Sequence, residues 1–184
     1  MEDLPPGVVD FQLMIFTIGH STRALAEFVA LLKTHGIAQL ADVRRVPKSA
    51  RHPHFAKDAL DGSLAAEGIV YRHFPDLGGL RKPRPDSVNT GLRHPSFRGY
   101  ADYMQTEAFR NALLDLVQFS GVATTALMCA EAVWWRCHRK LLSDVLLVRG
   151  VQVRHILSTA APKVHELSEF ARGKSGGVTY PGLL

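Results

Sequence analysis

The fold is decided by residues 13–43, which read LMIFTIGHSTRALAEFVALLKTHGIAQLADV. The apolar run that opens this stretch predicts a strand over 13–18, ended by Gly19. Apolar residues then recur with helical spacing, at Leu25, Phe28, Val29 and Leu32. A second apolar run predicts a strand over 37–43. A strand, a helix and a strand in this order predict a βαβ unit with parallel pairing.

The ends of that first helix carry recognisable signals. Ser21 or Thr22 is expected to cap its N-terminus, because a side-chain oxygen can accept a free backbone N–H there. Gly36 is expected just past its C-terminus, where a left-handed residue commonly stands.

The same alternation continues along the chain. Further strands are predicted at 69–74, 122–129 and 151–157, and helices near 55–68 and at 97–104, 107–119 and 136–148, with a weak helical piece near 164–172. This order predicts a three-layer α/β fold, with a mostly parallel sheet of about five strands and helices on both faces. We expect one domain at 13–158 between an N-terminal tail, 1–12, and a C-terminal tail, 159–184. The loop over 75–98 is long enough to suggest a functional role.

Composition excludes several classes of protein. The chain has 184 residues, 46% apolar and 21% charged, which is typical of one globular domain and not of a disordered chain. No apolar run approaches the roughly 18 residues of a membrane span. Glu2 and Asp3 stand where a secretory signal would be basic. With Cys129 and Cys137 as its two cysteines, the chain is expected to be cytoplasmic, to have free thiols and to bind no membrane.

The net charge of +5 is unevenly distributed. Residues 44–98 hold 11 of the 22 Lys and Arg residues but only 5 of the 17 Asp and Glu residues, so the whole positive excess lies there. Phe55, Tyr71, Phe74 and Phe97 are interleaved with these charges. This combination is typical of nucleic-acid-binding modules, in which bases stack on aromatic rings. A solvated basic face is the alternative interpretation.

Polar clusters follow four of the predicted strands. They are Gly19-His20-Ser21, Asp42-Val43-Arg44-Arg45, Leu77-Gly78-Gly79 and Cys129-Ala130-Glu131, and Cys137-His138-Arg139 comes soon after the last. The carboxyl ends of parallel strands lie at one edge of a sheet, where ligands of α/β proteins bind. The sequence therefore predicts a functional site at that edge.

The chain resembles the family catalogued as domain of unknown function 488 over roughly residues 16–156. The resemblance rests on Thr17-Ile18-Gly19-His20-Ser21, Asp42-Val43-Arg44 with Pro47 and Ser49, Leu77-Gly78-Gly79, Tyr100, Tyr103-Met104, Cys129-Ala130-Glu131 and Cys137-His138-Arg139, in that order. It implies a small α/β domain, chiefly prokaryotic, with no settled reaction. The pair Trp134-Trp135 departs from the pattern, which has a more polar turn there. The two tryptophan side chains are expected either in the core, at the rim of the pocket or in an interface, and the sequence leaves all three placements open.

Cys137-His138-Arg139 is expected to open a helix. The N-terminus of a helix presents free N–H groups and partial positive charge, so it binds anions. The same field, with His138 and Arg139, would lower the pKa of Cys137. A thiolate nucleophile, a non-covalent anion site and a purely structural cysteine remain open.

The other clusters allow two interpretations each. His20 is either an acid/base group or the neighbour of a capping Ser21. Asp42 and Arg44, two apart on an extended segment, either pair with each other or leave Arg44 for an anion. Glu131 is either a general base or an ion-pair partner of Arg44 or Arg139, and Cys129 is either part of the site or a buried inert thiol. Further possible site residues are Gly78, Gly79 and Tyr100.

Several sharper motifs are absent from the sequence. It has no Gly-x-Gly-x-x-Gly, no Gly-x-x-x-x-Gly-Lys, no Cys-x-x-Cys, no His-Glu-x-x-His and no Gly-x-Ser-x-Gly. A metal set could be drawn from His20, Cys129, Glu131, Cys137 and His138. The spacing of the cysteines is not that of a zinc finger, so no metal and no cofactor are predicted.

These observations favour an enzyme or anion-binding domain for a small anionic substrate, phosphate- or nucleotide-like. The predicted catalytic residues are His20, Asp42, Glu131 and Cys137, and the predicted anion-binding residues are Ser21, Arg44, His138 and Arg139. A nucleic-acid-binding module and a non-catalytic regulatory or scaffold protein are the alternatives.

Overall fold

The computed structural model describes residues 13–48, 50–174 and 176–182, so the predicted tail 1–12 and Ser49 lie outside the described residues. Six strands form one sheet in the order β3-β2-β4-β1-β5-β6. They are β1 (Met14–Gly19), β2 (Gln39–Asp42), β3 (Val70–His73), β4 (Thr125–Cys129), β5 (Gln152–His155) and β6 (Lys163–Val164). The first five are parallel to one another, as predicted, and β6 adds an antiparallel edge.

Five α-helices cover the sheet: α1 (Leu25–Thr34), α2 (Lys57–Ala66), α3 (Pro95–Tyr103), α4 (Glu107–Ser120) and α5 (Arg139–Val148). On one face α1 and α2 pack on sheet residues such as Leu40 and Met128. On the other face α3, α4 and α5 pack on residues such as Ala41 and Leu127. Neighbouring residues of a strand thus face opposite layers, which confirms the three-layer α/β prediction. None of the helices in the described part of the chain is long and apolar enough to cross a membrane.

Helix ends follow the sequence signals in part. Gly36 has a φ of 64° just past α1, and the Thr106 hydroxyl accepts the Phe109 N–H at the start of α4, 3.3 Å away. The prediction that Ser21 or Thr22 caps α1 is wrong. The N-cap residue is Ala24, with no side-chain cap, because the chain first makes a tight turn in which Ser21 has a φ of 49°.

The predicted start of the last helix is three residues early. Residues Trp134–Arg136 form a separate 3-10 turn, and α5 begins at Arg139. His138 is therefore its N-cap residue, and Cys137 stands just before it.

The helix predicted near 164–172 is wrong. The chain instead forms β6, and β7 (Arg172–Lys174) pairs with β8 (Gly177–Thr179) in a small hairpin. Long-range hydrogen bonds decide this segment: the buried Asp144 carboxylate accepts from His165, Ser168 and Tyr180, each at 2.7–3.0 Å. Such tertiary contacts override a weak local helical preference. The Tyr180 side chain is completely buried, so residues beyond 158 pack on the domain.

The long loop is held in place by one carboxylate. After a 3-10 turn at Pro75–Leu77, the chain runs to α3 without further regular structure. Asp102 of α3 accepts the Arg84 N–H, the Ser87 hydroxyl and the Asn89 amide at 2.6–2.8 Å. These bonds fix the loop beside the carboxyl edge of the sheet.

Candidate functional site

The carboxyl ends of the first four strands meet in one place. The His20 N–H donates to the Cys129 carbonyl at 3.0 Å, and the Val43 N–H donates to the Met128 carbonyl at the same distance. A cavity of about 700 Å³ opens here. We call it the edge cavity; its lining residues are His20, Arg44, Arg45, Val46, Lys48, Gly79, Leu80, His94, Ser96, Phe97, Cys129, Ala130, Glu131, Trp135, Arg136, Cys137 and His138.

The predicted site residues divide into two groups. Those that line the edge cavity are His20, Arg44, Gly79, Cys129, Glu131, Cys137 and His138. Those that lie behind this lining are Ser21, Asp42, Gly78, Tyr100 and Arg139. The second group lies next to the first in the fold, and three of its members contact it directly: Asp42 bonds to Arg44, Arg139 to the Glu131 carbonyl, and Tyr100 packs on the His138 ring.

The predicted site residues did not include seven further side chains that line the edge cavity: Arg45, Lys48, His94, Ser96, Phe97, Trp135 and Arg136. Arg45 and Lys48 belong to the basic stretch, so their charge was a usable signal. His94, Ser96 and Phe97 come from the end of the long loop and the start of α3. No local pattern gives the path of that loop.

Two thiols and one imidazole form the floor of the edge cavity. Cys129 ends β4, and Cys137 and His138 immediately precede α5; we call these three the thiol–imidazole cluster. The Nε2–H of His138 donates to the Val43 carbonyl at 3.0 Å, which leaves Nδ1 as the acceptor of the neutral ring. That Nδ1 lies 3.5 Å from the Cys137 sulfur and 4.0 Å from the Cys129 sulfur. The three atoms all lie within 4.8 Å of one another and could hold a metal ion.

The two thiols have opposite pKa shifts. The hydrogen bond from Cys129, together with the nearby His138 and Arg139, lowers the pKa of Cys137 well below its usual range. The same hydrogen bond and burial raise the pKa of Cys129 well above its usual range. Cys137 is therefore the more readily ionised of the two thiols.

Gly79 and Tyr100 hold the His138 ring in position. A Cβ on Gly79 would lie 3.0 Å from His138 Nδ1, so the ring would have to shift by a few tenths of an ångström to admit it. The Tyr100 ring also packs on the imidazole, with ring centroids 5.1 Å apart. Its hydroxyl donates to the Leu77 carbonyl at 2.8 Å, which anchors the loop that carries Gly79.

Asp42 and Arg44 form the buried ion pair that was one of the two interpretations of their spacing. The Arg44 guanidinium donates to the Asp42 carboxylate from Nε at 2.8 Å and from Nη2 at 2.5 Å. The Tyr71 hydroxyl donates to the same carboxylate at 2.6 Å. Asp42 is completely buried, so it is a positioning residue and does not reach the edge cavity.

His20 is held as a neutral ring. Its Nδ1 donates to the Ser21 carbonyl at 2.9 Å, and its Nε2 lies 3.3 Å from Arg44 Nη1, from which it accepts. The ring stacks on Phe55 with centroids 4.2 Å apart. Burial, with Arg44 nearby, lowers the pKa of His20 to about 4. With both nitrogens engaged, His20 is a poor general base in this arrangement.

Arg139 supports the loop after β4 instead of facing the edge cavity. Its side chain is 1% exposed, and Nη2 donates to the carbonyls of Glu131 and Ala132. Gly19 lies under the same loop, where a Cβ would stand 1.8 Å from the Glu131 carbonyl oxygen. The Glu131 side chain remains at the cavity, and no ion pair within the described residues includes it.

The tryptophan pair has two different placements. Trp134 is buried and stacks on His155, with ring centroids 3.9 Å apart and planes 6° from parallel. Trp135 is 47% exposed and lies at the rim of the edge cavity. The sequence left core, pocket rim and interface open for this pair. Trp134 therefore lies in the core and Trp135 at the rim of the cavity.

Fold and site together define a mostly parallel α/β domain with a Cys/His-containing cavity at the carboxyl edge of its sheet. The chain belongs to the family described as domain of unknown function DUF488, whose model matches residues 24–146. This confirms the family resemblance of the sequence. No curated protein and no solved structure matches the chain.

Proposed function

We propose that the edge cavity binds a small anionic substrate, phosphate- or nucleotide-like, and that the chain is an enzyme acting on it. The observation that carries this proposal is the meeting of cationic side chains and the thiol–imidazole cluster in one cavity. Its volume of about 700 Å³ lies within the range of small-molecule sites.

Three exposed cations are available to hold the anion. The lining includes four Lys and Arg residues and one Glu, and Arg44 is neutralised by Asp42. Arg45, Lys48 and Arg136 remain, and all three are exposed. They surround a cavity next to the N-terminus of α5, where the helix dipole adds to the positive potential. An anion entering the cavity thus meets a net attractive field.

The reactive groups of the proposal are fewer than the sequence suggested. Asp42 is enclosed by Arg44 and Tyr71, and His20 has both nitrogens in hydrogen bonds. Among the predicted site residues, those that face the cavity with lone pairs to offer are the thiol–imidazole cluster and the Glu131 carboxylate. We therefore assign chemistry to the cluster and to Glu131, and positioning to Asp42, His20 and Arg139.

The nucleic-acid alternative loses most of its aromatic argument. Phe55 and Phe74 are 0% and 3% exposed, and the Tyr71 hydroxyl is bonded to Asp42. The two phenylalanine rings cannot stack on bases without unfolding part of the core. Phe97 alone of the interleaved aromatic residues lines the edge cavity. A cavity also suits a small ligand better than a polymer backbone.

Binding of defined anions tests the proposal. Melting temperatures would be measured with orthophosphate, pyrophosphate and adenosine monophosphate, against sodium chloride at equal ionic strength. We expect stabilisation that saturates, and an apparent affinity about 10-fold lower in Arg136→Ala, because a charged hydrogen bond is worth roughly 1.5–3 kcal/mol. Lys82→Ala is the control, since Lys82 is an exposed cation of the basic stretch 44–98 and does not line the cavity.

The outcomes separate the three functions. Equal losses in Arg136→Ala and Lys82→Ala would mean diffuse surface attraction and would reject a built anion site. Tight binding of a single-stranded oligonucleotide that weakens steeply with salt, with no response to the small anions, would favour the nucleic-acid module. No response to any of them would favour the regulatory or scaffold protein.

A further inference from the structure

We infer that the thiol–imidazole cluster is a zinc site with three protein ligands: Cys129 Sγ, Cys137 Sγ and His138 Nδ1. The sequence predicted no metal because the two cysteines are eight positions apart, which fits no zinc-finger spacing. The fold brings them together from a strand end and a helix start. This inference concerns the ligand of the cluster and stands independently of the anionic substrate.

The donor atoms already have nearly the separations that zinc requires. With Zn–S near 2.3 Å and Zn–N near 2.0 Å, tetrahedral coordination places a sulfur and a nitrogen about 3.5 Å apart and two sulfurs about 3.8 Å apart. His138 Nδ1 lies 3.5 Å from the Cys137 sulfur and 4.0 Å from that of Cys129. The two sulfurs are no more than 4.8 Å apart. Small side-chain rotations therefore suffice to enclose an ion.

The His138 ring is oriented as a ligand ring should be. Metal-bound histidines usually donate their second N–H to a carbonyl or carboxylate, which fixes the tautomer and aims the lone pair. Here Nε2–H donates to the Val43 carbonyl at 3.0 Å, and the lone pair of Nδ1 faces the two sulfurs. Gly79 and Tyr100 pack on the ring and restrict other orientations.

The charge and softness of the donor set favour zinc. Two thiolates and a neutral imidazole balance a divalent cation, so the buried site carries no net charge and its desolvation cost is small. Sulfur and imidazole ligands in a tetrahedral arrangement select zinc over the hard cations magnesium and calcium.

The fourth coordination position would open into the edge cavity. Cys129 and Cys137 are 7% and 5% exposed, and they line this cavity together with His138. Three protein ligands and one open position are typical of catalytic rather than structural zinc sites. A zinc ion here would present a Lewis acid to whatever occupies the cavity.

Metal binding by the full chain tests the inference. The protein would be reduced, stripped with a chelator and titrated with Zn²⁺ against a chromophoric competitor. We expect one zinc ion per chain with a Kd below about 1 µM. Co²⁺ should give the thiolate-to-cobalt charge-transfer absorption and the intense visible bands of a tetrahedral site. This second measurement needs no variant, so misfolding cannot obscure it.

Substitutions assign the ligands. Cys129→Ser, Cys137→Ser and His138→Gln should each weaken zinc binding more than about 100-fold, beyond the loss typical of outer-shell partners. His73→Gln is the matched control, because His73 Nε2 also bonds a backbone carbonyl, that of Arg44, and His73 is not a ligand.

Three results would overturn the inference. The first is the absence of zinc binding by the reduced protein while both thiols react freely with a thiol reagent. The second is unchanged zinc affinity in the ligand variants, and the third is a cobalt spectrum without thiolate bands. A Cys129–Cys137 disulfide that forms quantitatively while the reduced protein binds no zinc would assign the cluster to redox chemistry instead. In every case the anion titration with Arg136→Ala remains a separate test of the proposed function.

Discussion

The Nε2 atom of His138 lies 3.0 Å from the carbonyl oxygen of Val43, a residue 95 positions earlier in the chain. This hydrogen bond links the end of β2 to the start of α5 across the carboxyl edge of the sheet. It determines which nitrogen of the imidazole faces Cys137. The chemistry of the edge cavity therefore depends on a contact between distant segments.

Adding a methyl group beside His138 should weaken the cluster without removing a ligand. In Gly79→Ala the new Cβ would lie 3.0 Å from Nδ1, and the Val43 bond and the Tyr100 ring limit how far the imidazole can retreat. We expect zinc affinity to fall about 10-fold or more in the competition titration. An affinity equal to that of the unsubstituted chain would show that the ring is not held as described.

The end of β1 should not tolerate a side chain at Gly19. A Cβ there would lie 1.8 Å from the Glu131 carbonyl oxygen, so Gly19→Ala must displace the loop after β4. We expect the free energy of unfolding to fall by more than about 2 kcal/mol in urea titrations. The matched variant is Gly62→Ala in α2, where no atom lies within 4 Å of the new Cβ and alanine should add up to about 1 kcal/mol. Equal effects of the two variants would contradict the close approach.

Removing the charge of Asp42 should be strongly destabilising. Asp42→Asn would leave the 6%-exposed Arg44 guanidinium without its counter-charge, and an unpaired buried charge costs roughly 3–5 kcal/mol. Chemical denaturation measures this loss. The control is Asp86→Asn, which breaks the exposed pair with Arg84 and should have no measurable effect. A loss of free energy of unfolding in Asp42→Asn as small as that expected for Asp86→Asn would mean that water reaches the pair.

Stability should fall on acidification because His155 is held neutral. Burial, with His165, Arg139 and Lys163 nearby, lowers the pKa of His155 to about 3. Its Nε2–H donates to His165, which in turn donates to Asp144, and its Nδ1 accepts from the Thr17 hydroxyl at 2.7 Å, so both nitrogens of the neutral ring are engaged. The unfolded chain binds that proton near pH 6.5, so the contribution of the neutral His155 to the free energy of unfolding is fully present above this pH. This contribution is lost as the pH falls towards 3.

The size of this effect can be measured directly. At about pH 5 the His155 contribution to the loss should be about 2 kcal/mol relative to about pH 7. Urea titrations at the two pH values test it, and His155→Gln should reduce the difference by a similar amount. An unchanged pH dependence in His155→Gln would remove His155 as its source.

Much of the fold was predictable from local patterns. The apolar runs gave the first five strands, and the helical spacing at Phe28 and Leu32 gave the buried face of α1. The rule that parallel strands end at one edge brought residues as distant as His20 and Cys137 to one cavity. These inferences succeed because they need only periodicity and topology.

The errors come from contacts between distant residues. The Asp144 carboxylate accepts hydrogen bonds from His165, Ser168 and Tyr180, and the segment expected to be helical near 164–172 is instead mostly irregular, between the short strands β6 and β7. Likewise, no spacing rule shows that Arg139 supports a loop while Arg136, three residues earlier, lines the edge cavity. Side-chain direction at a loop–helix junction is decided by packing, which sequence patterns do not encode.

The central claim is that the edge cavity is where an anionic ligand binds, and anomalous diffraction tests it most directly. Crystals soaked in selenate, an analogue of sulfate and phosphate, would be measured at the selenium edge, with a crystal in native buffer as the control. We predict an anomalous peak inside the cavity, with selenate oxygens within about 3.2 Å of Arg45, Lys48 or Arg136 nitrogens. Peaks confined to the outer surface, with none in the cavity at a selenate concentration that stabilises the protein, would contradict the account.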